Sequence, residues 1–344
     1  MALKLFHPYI SKRAIWNVVK VLWVGKQLAE GPLVKQFTYE FSKKFNQKNV
    51  VALNSGTSAL ELAYELAGIQ PEDEVITPTL TCTATNIPLV RRGCQIVFAD
   101  TDIDLNINIE DVKNKITKKT KAIVFVHFGG NNRGLKELVA LCKQRNIILI
   151  EDAAQAVGSD YWGKGDFTCV SLQAIKTLTS GDGGFLICKS KKAYEKAMRL
   201  KWFGYDREAK QKYGDIDLKE AGYKFHMNDI TAAIGLGNLH SIDKIINHRK
   251  KLAEIYKSYG LFAHAWLAGG FTNDYEELKK ELEGYEMGQH HFRNDKYTLF
   301  EEADATQLFR MDFLEDKYFF IPYHHKVTEE QAHDIGLICS NYLT

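Results

Sequence analysis

The run Ile147-Ile148-Leu149-Ile150-Glu151-Asp152-Ala153-Ala154-Gln155 decides the fold. Four apolar residues in succession leave no polar face, so the strand they form fits a buried position inside a sheet. A carboxylate at the end of such a strand is costly to bury without a cationic partner, and the small residues after it leave room for a flat ligand. Asp152 also reads as the cap of a following helix. Working outward, similar short runs occur at residues 50–53, 74–77, 95–99, 122–127 and 185–188. Helical patterns lie between them; Leu135, Leu138, Val139 and Cys142 follow the i, i+3, i+4, i+7 spacing of an amphipathic helix. Strands alternating with helices predict an α/β fold with a mixed, mainly parallel sheet flanked by helices on both faces. In such sheets ligands gather beyond the carboxyl ends of the strands, so the residues just after each strand are where chemistry is sought.

From residue 227 the texture changes. Residues 227–242 and 244–259 read as two long helices, 261–270 as a strand, and 275–283 and 328–342 as further helices. We expect a large domain over residues 1–245 and a smaller α+β domain over 246–344. A chain of 344 residues buries about three quarters of its unfolded surface and needs no disulfide or metal staple. Lys and Arg total 45 against 43 Asp and Glu, and this balance gives no electrostatic case for nucleic acid or a membrane surface as partner. The six cysteines (Cys82, Cys94, Cys142, Cys169, Cys188 and Cys339) are scattered without zinc-ligand spacing, so no metal is expected and buried reduced thiols are. The first residues, MALKLFHPYISKRAIW, hold no apolar core of signal-peptide length, and no run approaches a membrane span; the expectation is a soluble cytoplasmic protein.

Three strand-end features carry the chemistry. Asn54-Ser55-Gly56-Thr57-Ser58-Ala59-Leu60 follows a strand and opens a helix. A small turn of this kind offers free N–H groups and a favourable dipole to a phosphate, and it equally reads as a plain Ser or Thr cap. Asp152 is the second feature. The third is Ser171-Leu172-Gln173-Ala174-Ile175-Lys176-Thr177-Leu178-Thr179-Ser180-Gly181-Asp182-Gly183-Gly184. A lysine among apolar and small residues can be held with a depressed pKa as a Schiff-base nucleophile; alone, such a lysine is more often an ordinary loop residue. Taken together, a phosphate cradle, a buried acid and an internal lysine on an α/β sheet are the parts needed to hold pyridoxal phosphate. A nicotinamide fold is the rival, but Gly181-Asp182-Gly183-Gly184 leads into a strand rather than a helix and is no dinucleotide fingerprint.

At these residues the chain resembles the DegT/DnrJ/EryC1/StrS sugar aminotransferases, fold type I enzymes dependent on pyridoxal phosphate. The resemblance runs from about Gly25 to Leu239 and resumes over residues 320–335. Its markers are Gly31-Pro32-Leu33-Val34, Ser55 to Leu60, Glu151 to Gln155, Ser171 to Gly184, and Gly222-Tyr223-Lys224-Phe225-His226-Met227-Asn228-Asp229. It implies that Lys176 forms the imine with the coenzyme and carries the proton. Asp152 would pair with the pyridine nitrogen and Gln155 would sit by the ring hydroxyl. Gly56, Thr57, Ser58 and Ser171 would hold the phosphate. It further implies a homodimer with shared active sites, in which the 222–229 loop reaches the partner's coenzyme and Gly31 and Pro32 lie near the sugar nucleotide. Two positions depart from the family pattern. Cys82 stands where many members carry a ring-stacking aromatic, and Lys224 stands where many carry Asn; both are kept as coenzyme-binding candidates.

Arg293 and His324 are taken as substrate-side groups, with His290, His291 and His325 reading either that way or as satisfied core histidines. His127 reads as structural, Tyr161 and Trp162 as closing a turn, and Arg249-Lys250-Lys251 as a solvated helix face. The reading is an aminotransferase that takes an amino group from an amino acid, with glutamate expected. It delivers the group, through a Lys176 Schiff base and pyridoxamine phosphate, to C4 of a nucleotide-linked 4-keto-6-deoxyhexose. Alternatives are a 3-keto sugar aminotransferase and a non-catalytic coenzyme-binding regulator. Lysine rather than histidine at 176 argues against the family's dehydratase chemistry.

Overall fold

A computed structural model describes residues 2–25, 27–214 and 217–344. The apolar runs become strands β1 (Val50–Leu53), β2 (Glu74–Pro78), β3 (Gln95–Ala99), β4 (Thr120–Val126), β5 (Ile148–Asp152), β6 (Phe167–Ser171) and β7 (Gly184–Cys188). They form one sheet in the order β1-β7-β6-β5-β4-β2-β3. The five strands β6, β5, β4, β2 and β3 run parallel, while β7 is antiparallel to both β6 and β1. Helices cover both faces, as a parallel sheet with apolar strands requires. In chain order the helices are α1 (Lys12–Val24), α2 (Pro32–Lys44), α3 (Gly56–Leu66), α4 (Thr83–Arg92), α5 (Ile109–Lys115), α6 (Leu135–Arg145) and α7 (Lys191–Leu200). They continue with α8 (Arg207–Tyr213), α9 (Asp229–Leu239), α10 (Ile242–Ser258), α11 (Tyr275–Glu281), α12 (Phe309–Leu314) and α13 (Glu329–Ser340).

The 261–270 segment is a hairpin rather than one strand: β8 (Phe262–Ala263) and β9 (Ala268–Phe271) pair antiparallel, with His264 N–H donating to the Leu267 carbonyl at 2.9 Å. The strand β10 (Tyr318–Ile321) completes this second, three-stranded sheet, which packs with α10 and α13 into its own core. Residues past the expected boundary also return to the first sheet. Phe300, Leu308 and Met311 bury against its core, and Asp304 and Phe98 bond backbone to backbone at 2.8 Å. No helix among the described residues is long and apolar enough to cross a membrane.

Close helix packing sets the frame around the site. In α9 the sequence Ala-Ala-Ile-Gly-Leu-Gly removes side chains from one face, and α1 lies against it at Ala14, which is fully buried. A Cβ at Gly237 would overlap the Ala14 backbone, and one at Gly235 would overlap the Phe37 ring. The gain in helix propensity from Gly to Ala is about 1 kcal/mol, less than the overpacking penalty against backbone that has no rotamer to move. Gly237→Ala is therefore expected to lower the unfolding free energy by about 1–3 kcal/mol in urea denaturation, with the m-value unchanged.

Candidate active site

The alternation of side chains along a strand sends Glu151 and Asp152 to opposite faces of the sheet. Glu151, fully buried, accepts from the N–H groups of Gly163, Lys164 and Gly165 at 2.9, 2.5 and 2.5 Å and from His127 Nε2 at 2.8 Å. Burial alone would raise its pKa, but the His127 bond and the backbone donors outweigh this and hold the carboxyl below its ordinary range. His127 is thus structural, as expected. Asp152 faces the other way, into the site. Its Oδ2 accepts from Thr85 Oγ1 at 2.7 Å and its Oδ1 from Ala154 N–H at 3.1 Å. Thr85 is in turn bonded to Thr81 Oγ1 at 2.9 Å, so the first turn of α4 orients the carboxylate.

Lys176 lies on a turn closed by its own N–H to the Gln173 carbonyl at 2.9 Å. The surrounding loop folds back on itself, with Leu172 N–H donating to Gly183 and Ser180 N–H to Leu172, both at 2.9 Å. The lysine Nζ rests 3.9 Å from the centre of the Trp266 ring. Trp266 is itself fixed by its Nε1–H to the Ile175 carbonyl at 3.1 Å and by stacking on Phe6 at 5.0 Å. Desolvation lowers the amine's pKa to about 8, against the opposing pull of the Asp152 charge and of Cys82. A lysine so placed has a far larger neutral fraction near neutral pH than an ordinary lysine, and in that form it can attack a carbonyl or take up a proton.

The expected phosphate cradle lies at the start of α3, a capped helix terminus. Ser55 caps the helix, its Oγ accepting from Ser58 N–H at 3.0 Å, while Ser58 Oγ donates to Asn54 Oδ1 at 2.7 Å. The N–H groups of Gly56 and Thr57 have no acceptor among the described residues, as expected of a helix start open to an anion. Ser171 closes the cradle: a Cβ at Gly56 would lie 2.8 Å from the Ser171 Cβ. A Cβ at Gly184 would meet the Ser55 carbonyl, so β7 and α3 touch backbone to backbone. Gln155, three residues after Asp152, is buried. Its Oε1 accepts from Gly129 N–H at 2.6 Å, which turns its amide Nε2 toward His291 Nε2 at 3.1 Å. His291 must then accept at Nε2 and be neutral, in keeping with the burial that pushes its pKa well below the ordinary value. His290, packed on Trp266, is pushed by burial to about 4.

The remaining candidates separate from this cluster. Cys82 is half-buried at the cap position of α4, near Lys176. Lys224 is exposed, on a segment whose backbone bonds to the end of β1 through Asn54 N–H to the Phe225 carbonyl at 2.7 Å. Gly31 caps α2, and its N–H and those of Leu33 and Val34 go to the Asp229 carboxylate at 2.8, 3.2 and 3.2 Å. Gly31 and Pro32 line a cavity of about 1220 Å³ with Glu30, Lys201, Trp202 and Arg207, and none of Lys176, Asp152 or Ser171 contributes to its wall. The two expected substrate-side groups are engaged by the protein itself. Arg293 is bonded to Asp295 at 2.7 Å, Asp312 at 2.5 Å and Glu315 at 3.0 Å, with its side chain only 3% exposed, and it ties its loop to α12. His324 is buried with Nε2 bonded to the Lys4 carbonyl at 2.8 Å and Nδ1 accepting from Lys326 N–H at 3.3 Å, so both ring nitrogens are already used. Thr85, Trp266 and Gln155's partner His291 belong to the site's machinery, and only the last was singled out in the sequence.

Residues 8–265 match the DegT/DnrJ/EryC1/StrS aminotransferase family. The chain is 33% identical over 281 residues to a GDP-perosamine synthase of Escherichia coli O157:H7, covering 76% of this chain and 75% of that one. It is 31% identical over 272 residues to a dTDP-4-dehydro-2,3,6-trideoxy-D-glucose 4-aminotransferase of Saccharopolyspora spinosa, covering 74% and 70%. Among solved structures, the sugar aminotransferase CalS13 from Micromonospora echinospora superposes with a TM-score of 0.92 at 28% identity, covering 99% of this chain and all of that one.

The Lys176 amine is expected to titrate with a midpoint near 8, being charged below it and neutral above. Reductive ¹³C-methylation of the coenzyme-free protein and NMR titration should place one lysine signal near that value, apart from the bulk near about 10.4. Asp152→Asn removes a charge that favours the protonated amine, so its midpoint should fall further.

Proposed function

This chain belongs to the DegT/DnrJ/EryC1/StrS aminotransferase family, and on that premise we propose that it moves an amino group from glutamate to C4 of a nucleotide-linked 4-keto-6-deoxyhexose, using pyridoxal phosphate. The observation that carries the reading is the Lys176 amine, desolvated over Trp266 and within electrostatic reach of Asp152. The residues around it fit the coenzyme. Gly56 and Thr57 offer unpaired N–H groups beside Ser171, in a space that a side chain at 56 would fill. Relatives named as a GDP-perosamine synthase and a 4-aminotransferase of a dTDP-linked 4-dehydro sugar support a nucleotide-linked substrate and amination at C4.

Pyridoxal phosphate, when bound, supplies a carbonyl and an electron-accepting ring through which an amino group passes between two substrates. The helix start at Gly56, Thr57 and Ser58, with Ser171, would take its phosphate. Asp152, held by Thr85, would keep a proton on the ring nitrogen, and Gln155 would face the ring hydroxyl. Cys82 would lie at the ring face. Lys176 holds the proton that must leave the amino donor's carbon and later reach the acceptor's carbon; an amine with a pKa of about 8 can both take and return it. Trp266 and the surrounding loop keep this amine in place.

The cavity beside Gly31 and Pro32 supports a homodimer with shared active sites. It is open, lined by charged groups, and separate from the coenzyme residues of the same chain, which is the arrangement expected if each site is completed by a second copy. In that arrangement Lys224, exposed on its loop, would meet the partner's coenzyme or the substrate diphosphate. The division into residues 1–245 and 246–344 and a cytoplasmic location belong to the same reading.

Incubation with a panel of nucleotide-linked 3- and 4-ketosugars and glutamate, followed by mass and NMR analysis, should give amination at C4. Amination at C3 would displace that part of the proposal. Lys176→Ala should lose turnover by several orders of magnitude while retaining the fold and noncovalent coenzyme uptake, and full activity in that variant would defeat the assignment.

A further inference from the structure

We propose that the cavity between residues 130–132, 158–160 and helix α10 is a binding site for a compact oxyanion, a phosphate or carboxylate group gripped by Arg249. The sequence places Arg249 on a solvated helix face with Lys250 and Lys251. The fold instead turns Arg249 inward, leaving it 6% exposed, while both lysines stay outside. Its NH1 donates to the Trp266 carbonyl at 2.9 Å, and the guanidinium lies 5.1 Å from the centre of the Tyr323 ring. These contacts use only part of a group with five donors. Nε is buried with no acceptor, and no carboxylate among the described residues forms an ion pair with Arg249.

A buried cation is destabilising unless a counter-charge reaches it, and a guanidinium presents a fork shaped for two oxygens of one anion. Desolvation already lowers the Arg249 pKa to about 10. The space beside it has the volume and charge that such a ligand needs. Arg249 lines a cavity of about 240 Å³ together with Lys250 and Lys257 from the same helix, Asn132 and His264. One carboxylate, Asp160, stands at the wall, so three cations face one acid. These residues share none of the cradle at the start of α3, and the inference stands independently of the coenzyme reading.

The test uses the coenzyme-loaded protein, so that the α3 cradle is filled. Inorganic phosphate and succinate are titrated separately by calorimetry at constant ionic strength, which distinguishes a phosphoryl from a carboxylate ligand. We expect saturable binding of at least one. Lys250→Glu combined with Lys257→Glu, both exposed positions, should weaken it by about tenfold or more, and Arg249→Gln should remove it. Should Arg249→Gln fail to fold, the double lysine variant decides. Binding weakened less than this in the double variant, or no saturable binding of either titrant, overturns the proposal.

Discussion

The site depends on two adjacent carboxylates with opposite tasks. Glu151 and Asp152 end the same strand, and the pleat directs one to each face. The Glu151 carboxylate gathers three consecutive backbone N–H groups and a histidine, which ties the segment just before β6 to the end of β4. Asp152, on the other face, is left with two protein donors and an orientation fixed by Thr85.

The second constraint acts on Lys176. Its amine would ordinarily remain charged, and the nearby Asp152 favours that form. Burial over an aromatic face opposes it and prevails. The aromatic is not local: Trp266 lies on the turn between β8 and β9, and it is held from the far side by Phe6 and His290. Three distant segments therefore converge on one ammonium group, and the acid–base properties of residue 176 are a property of the whole packing.

Much of this was legible in the sequence because it is periodic or local. Residues 50–53 and 95–99 coincide with β1 and β3, and the Ser55 to Ser58 turn is a capped helix start. Strand ends point to chemistry in any α/β sheet, so Asp152 and Lys176 could be singled out without coordinates. What is not legible depends on partners far along the chain. Arg293 pairs with Asp312 and Glu315, 19 and 22 residues away, on α12 and at its C-cap, whose docking nothing in the local pattern encodes. His324 is occupied by the backbone of Lys4. Arg249 looked solvated because its two neighbours are; one helical position changes which way a side chain faces. The second sheet's hairpin is not legible because Ala263 to Ala268 contains no Gly, Pro, Asn or Asp to mark the reversal.

The contact between β7 and the start of α3 has a consequence for how this protein can change over generations. The helix start there offers main-chain N–H groups, with Gly184 on β7 set against the Ser55 carbonyl and Gly56 against Ser171 at the end of β6. Main-chain donors are not erased by exchanging one side chain for another. Drift at Thr57 therefore leaves those N–H groups in place, whereas a methyl group at 184 would force β7 from α3 and one at 56 would force α3 from the end of β6. At residues 56 and 184 selection acts on bulk rather than on functional groups.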